Sequence, residues 1–90
     1  MAVSDDELSE MAIEELDAAS DMSWDEVSRI TPWGDVFTGI APSGREVEVE
    51  RRYLWSNEPG GGVVVEVEVR DPVARQGAEA SALLSAPPAS

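Results

Sequence analysis

Two segments decide the fold: "REVEVERRYLW", from Arg45 to Trp55, and "VVVEVEV", from Val63 to Val69. In both, valine or an aromatic residue alternates with a charged residue, which is typical of a strand with one buried and one exposed face. Alternation with period two puts the valines on one side and the glutamates on the other. The sequence therefore predicts an antiparallel hairpin with an apolar face and a charged face, connected by the flexible stretch "SNEPGGG".

The same alternation predicts a register for this hairpin. If Trp55 lies opposite Val63, three charged pairs face one another: Arg52 with Glu66, Glu50 with Glu68, and Glu48 with Arg70. Two of these pairs are attractive and one is repulsive, each by a few tenths of a kcal/mol in solvent. The charged face is thereby explained as a solvated surface that arginine partly neutralises. Arg51 interrupts the apolar series and predicts a bulge or a frayed edge.

A third strand is predicted ahead of this hairpin, beginning at Asp35. Its apolar face is formed by the alternate residues Val36, Thr38 and Ile40. The stretch "APSGR" then supplies a turn in which Gly44 takes a positive φ. The three strands together predict an antiparallel β-meander over residues 35–71.

The amino-terminal part of the chain, residues 4–30, is predicted to be helical and acidic. A capping box from Ser4 to Glu7 and a hydrophobic staple of Val3 with Leu8 predict a helix from Asp5 to Ala19. Its apolar stripe recurs at steps of three and four residues, at Leu8, Met11, Ala12, Leu16 and Ala19.

A second capping box, from Ser23 to Glu26, predicts another helix of about two turns. Pro32 disfavours helical geometry at the residue before it and ends this helix. Beyond the meander, residues 73–90 are rich in alanine, serine and proline, and they are interpreted as a weak helix or a flexible tail.

The predicted fold is therefore α+β, in which one or two amino-terminal helices pack on a three-stranded antiparallel meander within a single domain of residues 1–72. The predicted core consists of Leu8, Met11, Leu16, Trp24, Val27, Ile30, Val36, Ile40, Val47, Val49, Tyr53, Val65, Val67 and Val69.

Composition narrows the classes of function. The chain has 90 residues and a net charge of -13, with no lysine, cysteine or histidine. Such a charge repels phosphate backbones, so we expect no direct binding to nucleic acid. Without cysteine or histidine, and with no carboxylate pair singled out by spacing, we expect no enzymatic activity, cofactor or metal. No apolar run is long enough for a membrane helix and the first residues are acidic, so we expect a cytoplasmic protein.

The acidic residues are distributed unevenly along the chain. Ten of the 19 precede the first basic residue, Arg29, whereas arginines are interleaved with glutamates in the strands. On a helix, carboxylates recur about every 5–6 Å along a face, within a factor of two of the phosphate spacing of a DNA strand. The candidate partner-binding acids in this segment are Glu10, Glu14, Asp17, Asp21 and Asp25. They predict an inhibitor that occupies the basic nucleic-acid site of another protein, and the alternative is that the acidity serves solubility alone.

In size and charge the chain resembles small acidic inhibitors of phages and mobile elements, including anti-CRISPR and anti-restriction proteins. The resemblance covers no motif and therefore implies no site residues. Trp24, Trp33 and Trp55 are expected to form part of the core, because a small domain relies on large aromatic residues. The alternative is that Trp33 or Trp55, which lie next to predicted turns, contacts a partner. A second hypothesis is a structural protein that forms homodimers through an open sheet edge or through these aromatic residues.

Overall fold

The computed structural model describes residues 3–87, with side chains described from residue 6 onward. Two helices precede four strands: α1 (Val3–Ser20), α2 (Trp24–Ile30), β1 (Trp33–Ile40), β2 (Glu46–Trp55), β3 (Gly62–Asp71) and β4 (Gln76–Ser85). The strands form one antiparallel sheet in the order β1-β2-β3-β4. The α+β class is confirmed, but the sheet has four strands where the sequence predicted three.

The predicted register of the central hairpin is confirmed. Trp55 pairs with Val63, and the three charged pairs stand opposite one another as expected. The valines of β2 and β3 that were assigned to the core are buried: Val47, Val49, Val65, Val67 and Val69. The prediction of a bulge or frayed edge at Arg51 was wrong, because the register runs through Arg51 without interruption, with Asp35 and Val67 as its two neighbours.

The fourth strand lies where a weak helix or a tail was expected. β4 pairs with β3 along its whole length, from Gln76 opposite Asp71 to Ser85 opposite Gly62. Its alanines favour a helix in isolation, but they alternate with serine and glutamate. That period-two pattern fits the open edge of β3, and pairing with that edge overrides the local propensity. The inward side of β4 is formed by Ala78, Ala80, Ala82 and Leu84, which are partly buried.

The prediction for the buried face of the first strand was also wrong. Val36 and Ile40 are 55% and 64% exposed, respectively. The strand begins at Trp33, and its register with β2 places Trp33 opposite Tyr53 and Phe37 opposite Val49, on the helix side of the sheet. On that side Trp33 packs against Tyr53 and Phe37 lies under Arg51, and these contacts of two large rings favour the observed register.

Helix α1 covers one face of the sheet by packing over β3 and β4. Its buried positions include Ala12 and Ala19, and the facing side of β4 carries small alanines. Small side chains on both surfaces allow the helix to approach the sheet closely. The hydroxyl of Tyr53 donates a hydrogen bond of 3.0 Å to the carbonyl of Ala19, which satisfies one of the free carbonyls at the end of α1.

Leu8, Val27 and Tyr53 are buried, and the partly buried Met11, Leu16 and Trp24 pack against the core. The prediction that Ile30 is a core residue was wrong, since Ile30 is exposed.

Of the two capping boxes, the one formed by Ser23 and Glu26 is confirmed. The side chains of Val3 and Ser4, which belong to the other predicted box and its staple, lie outside the described residues. The backbone of α1 begins at Val3, two residues before the predicted start.

Two valines test the assignment of the sheet faces. Val67→Ala should lower the free energy of unfolding by about 1–3 kcal/mol, because it removes two methyl groups from a fully buried site. Val36→Ala, the same change on the exposed side of β1, should alter it by about 0.5 kcal/mol or less. Urea denaturation of both variants measures the difference, and equal losses would contradict the face assignment.

Candidate partner-binding surface

The outward face of α1 carries a row of carboxylates. Glu10, Glu14 and Asp17 follow one another at steps of four and three residues, so they share one side of the helix. At about 100° per residue, this side points away from the sheet, opposite the buried Ala12 and Ala19. The structure therefore brings these three predicted site residues together, and we call them the acidic row.

Two further candidates extend the acidic surface beyond α1. Asp21 follows the last residue of α1, and Asp25 lies in the first turn of α2, where a negative charge is favoured by the helix dipole. Both side chains are exposed, as are all three members of the acidic row. Among the residues that the structure describes, none of these five carboxylates forms an ion pair.

The ion pairs of the described residues lie elsewhere in the molecule. All of them involve four arginines, which are Arg45, Arg51, Arg52 and Arg70. The acids that these arginines neutralise belong to the sheet and its loops, with the exception of Glu7 on α1. The structure thus separates neutralised carboxylates from free ones, and the free ones are concentrated on the outer side of the helices.

The uncovered face of the sheet carries most of these ion pairs. Arg70 contacts Glu50 at 2.9 Å and Glu68 at 2.8 Å, and Arg52 contacts Glu66 at 2.8 Å and Glu50 at 3.1 Å. Hydrogen bonds from Arg70 and then Arg52 lower the pKa of Glu50 below its ordinary value. The repulsion expected between the opposed Glu50 and Glu68 is therefore offset by an arginine between them, which leaves this face less available to an outside cation.

A second cluster joins α1 to two loops. Glu7 accepts hydrogen bonds from the backbone N–H and hydroxyl of Ser43, at 2.8 and 2.9 Å, and forms an ion pair with Arg45. Arg45 also contacts Asp71 at 2.9 Å. The Asp71 carboxylate accepts from the N–H groups of the two loop residues Val73 and Ala74. These contacts hold the start of α1 against the sheet and so fix the direction of the acidic row.

Arg51 lies on the helix side of the sheet, where sequence reasoning did not expect a charge. Its guanidinium binds both oxygens of Asp35, at 2.7 and 3.0 Å. It also lies over the rings of Trp33 and Phe37, at 5.6 and 5.2 Å from their centroids. The bidentate ion pair and the two cation–π contacts stabilise the positive charge of Arg51 on the helix side of the sheet, next to the part of β1 that α1 does not cover.

The two tryptophan candidates occupy different environments. Trp55 is partly buried and packs edge to face against Trp24, with ring centroids 6.3 Å apart. Trp33 is 43% exposed and packs on one side against Tyr53. Trp33 is therefore the more accessible of the two, and neither side chain lies on the acidic row.

Sequence reasoning missed one exposed residue beside the acidic row. Ile13 is 53% exposed, although it lies in the middle of α1. The signal was present in the sequence, because Ile13 falls outside the apolar stripe that includes Ala12 and Leu16. An aliphatic side chain exposed to this extent is available for a contact with another molecule.

The acidic surface of the helices can bind another molecule through its negative charge. Exposed carboxylates accept charge-assisted hydrogen bonds from arginine and lysine, and several on one rigid element create a directed negative field. Within residues 3–87, no group of three or more side chains is arranged to hold a metal ion. In the same part of the chain, no helix combines the length and apolar character needed to cross a membrane.

Comparison with known proteins returns no family model, curated protein or solved structure that matches this chain.

The cluster around Arg45 predicts sensitivity to acid. The Ala74 and Val73 N–H groups lower the pKa of Asp71, and the Ser43 N–H lowers that of Glu7, each with help from Arg45. A lowered pKa stabilises the fold above the unfolded-state value of about 4 and ceases to do so as pH falls through the folded-state value. Urea denaturation between about pH 6 and pH 2 should therefore show stability falling below about pH 4.

The matched variants for this experiment are Arg45→Gln and Arg29→Gln. Arg45→Gln should reduce stability at neutral pH and flatten its decline in acid, because part of the effect that lowers both pKa values is removed. Arg29 forms no ion pair with any residue in the described range, so Arg29→Gln should retain the full decline. Equal pH profiles for the two variants would show that the cluster does not control acid stability.

The tryptophans differ in the expected cost of truncation. Trp55→Ala should lower the free energy of unfolding by about 2–4 kcal/mol, because it removes a partly buried ring that packs against Trp24. Trp33→Ala should cost about 1 kcal/mol, since much of its ring already faces solvent. Thermal and urea denaturation provide both values, and a larger loss for Trp33 would contradict this ranking.

Proposed function

We propose that this protein is a non-enzymatic protein-binding module that places the acidic row of α1 on a basic surface of a nucleic-acid-binding protein and so excludes nucleic acid from it. The observation that carries the proposal is the separation of charge. Arginines neutralise the carboxylates of the sheet, whereas Glu10, Glu14 and Asp17 are exposed and lack a counterion among the described residues. Solubility alone requires a net charge, but it does not require this segregation.

The rigidity of α1 supports the proposal. The helix is anchored near its start by the contact of Glu7 with Arg45 and at its end by the hydrogen bond from Tyr53 to Ala19. Its carboxylates are therefore held at a spacing of about 5–6 Å before any partner arrives. A surface that is already ordered loses little conformational entropy on binding.

The energetics fit a fast, salt-sensitive association. One exposed ion pair contributes about 0–1 kcal/mol, so no single carboxylate of the row is expected to dominate. Several together raise the rate at which a basic partner is encountered, and salt screens this effect over a Debye length of about 8–10 Å. The expected targets are basic proteins of the cytoplasm, with the nucleic-acid groove as the site of contact.

The test compares two charge reversals of equal size. The variant Glu10→Lys/Asp17→Lys reverses two members of the acidic row. Glu46→Lys/Glu58→Lys reverses two exposed carboxylates on the sheet and its loop, and neither of these has an ion pair in the described part of the chain. The two variants have the same net charge, so the comparison isolates the position of the charge from its amount.

A partner captured from a lysate of the source cells is purified, and its association rate is measured against salt concentration. The helix reversal should slow association by about tenfold or more at low salt, while the control should slow it much less. Duplex nucleic acid should compete with the protein for the partner. Equal effects of both variants, or association that ignores salt, would leave solubility as the role of the charge.

A further inference from the structure

The outer edge of β4 is open and almost without charge. β4 lies at the end of the sheet and pairs with β3 on one side only. Of its ten residues, Glu79 is the single charged one, and the strand contains no proline. Exposed edges are commonly protected by lysine, proline or bulges, because unpaired N–H and C=O groups recruit another strand. Between residues 3 and 87, no segment pairs with this edge.

The flank of α1 above this edge is also uncharged. Ser9, Ile13, Leu16 and Ser20 follow one another at steps of four, three and four residues, so they form one stripe along the helix. The opposite flank, with Met11, Glu14 and Glu15, borders a cavity of about 240 Å³ against Phe37 and the β1 side of the sheet. Within this stripe, which we call the Ile13 stripe, Ser9 and Ile13 are exposed on the β4 side, whereas Leu16 and Ser20 are partly buried.

The spacing between strands and the spacing between packed helices indicate that the β4 edge and the Ile13 stripe can be in contact in the same dimer. Helix α1 contacts both β4 and β3. An axis midway between the two strands would lie about half a strand spacing, or about 2.4 Å, inside β4. If two β4 edges pair at about 4.8 Å, the two α1 axes lie about 10 Å apart. That distance matches the 8–10 Å separation of packed helices. Pairing of the strands would thus bring the two Ile13 stripes into contact at the same time.

We propose that two copies of this chain form a symmetric dimer by antiparallel pairing of their β4 edges, with the Ile13 stripes of the two α1 helices packed together. The proposal is independent of the function proposed above. Glu79 is the single charged residue of the β4 edge and the Ile13 stripe, which limits repulsion at a contact between two molecules of net charge -13, whereas a basic partner is drawn to the acidic row. Antiparallel pairing of identical edges is compatible with a two-fold axis and would give a continuous eight-stranded sheet.

The other sheet edge is less suited to this pairing. β1 has eight residues rather than ten, and two of them are glycines, Gly34 and Gly39, which weaken a strand. Helix α1 covers β3 and β4, so pairing at β1 would not bring the helices together or cover Ile13. At β4, hydrogen bonding along the strands and apolar packing between the helices reinforce each other.

The dimer would also place two acidic rows side by side on the helix side of the joined sheet. Their axes would be about 10 Å apart, a distance comparable to the width of about 12 Å of the major groove of DNA. If both proposals hold, a basic site would meet two parallel lines of carboxylates.

The test uses a matched pair of exposed isoleucines. Ile13→Asp introduces a charge into the proposed contact, and Ile40→Asp introduces the same charge on β1, where Ile40 is 64% exposed. Sedimentation velocity over a range of protein concentrations should show a dimer for the unaltered chain. Ile13→Asp should weaken dimerisation by about tenfold or more, and Ile40→Asp should leave it nearly unchanged. Circular dichroism of both variants at low concentration confirms that each remains folded.

Two further measurements distinguish this contact from other associations. Salt should strengthen the dimer by screening the repulsion between the copies, which is the opposite of its expected effect on binding to a basic partner. Hydrogen exchange should show amides of β4 that become protected as protein concentration rises, with no such change in β1. A protein that stays monomeric at high concentration and high salt would overturn the proposal. So would a dimer that Ile40→Asp disrupts and Ile13→Asp does not.

Discussion

The pairing of β2 with β3 determines the rest of the structure, because its register decides which side chains face the helices. Val49 lies opposite Val69 and Tyr53 lies opposite Val65, so the buried side of the sheet is continuous across the two central strands. A shift of one residue would turn the glutamates toward α1 and the valines toward solvent. The cost of burying several unpaired carboxylates is far larger than any local preference in the chain, and the register is fixed accordingly.

The arrangement of arginines follows from the same register. Arg52 and Arg70 stand among the glutamates of the uncovered face, and Arg51 is paired with Asp35 on the other side. The sheet therefore contains its own counterions, and most of its carboxylates are paired with arginines of the same sheet. Helix α1 contains no basic residue, and of its carboxylates described by the structure only Glu7 is paired, by Arg45. The acidic row points away from the sheet and has no counterion among the described residues, which is why our proposal places partner binding on α1 and not on the sheet.

The position of α1 over β3 and β4 gives the molecule two unequal edges. At β1, the cover of the helix ends, and Trp33 and Phe37 remain partly exposed around Arg51. At β4, small alanines on the strand allow the helix to lie close to the edge, with Ile13 on its outer flank. The outward face of α1 carries the acidic row, whereas the Ile13 stripe on its β4 side is uncharged. One helix can therefore present a surface for a basic partner and a separate surface for a second copy of the chain.

The sequence by itself determined the central hairpin, its register, both helices and the exposure of the acidic row, since each depends on periodicity within one segment or on the pairing of two adjacent segments. Tertiary structure decided the rest. The orientation of β1 required a competition between Val36 and Phe37 for the same side of the sheet, which only pairing with β2 resolves. Residues around Ala80 became a strand because β3 offered an unpaired edge, although their composition favours a helix. The counterions of Glu7 and Asp35 likewise depend on arginines that are distant in sequence and adjacent only after folding.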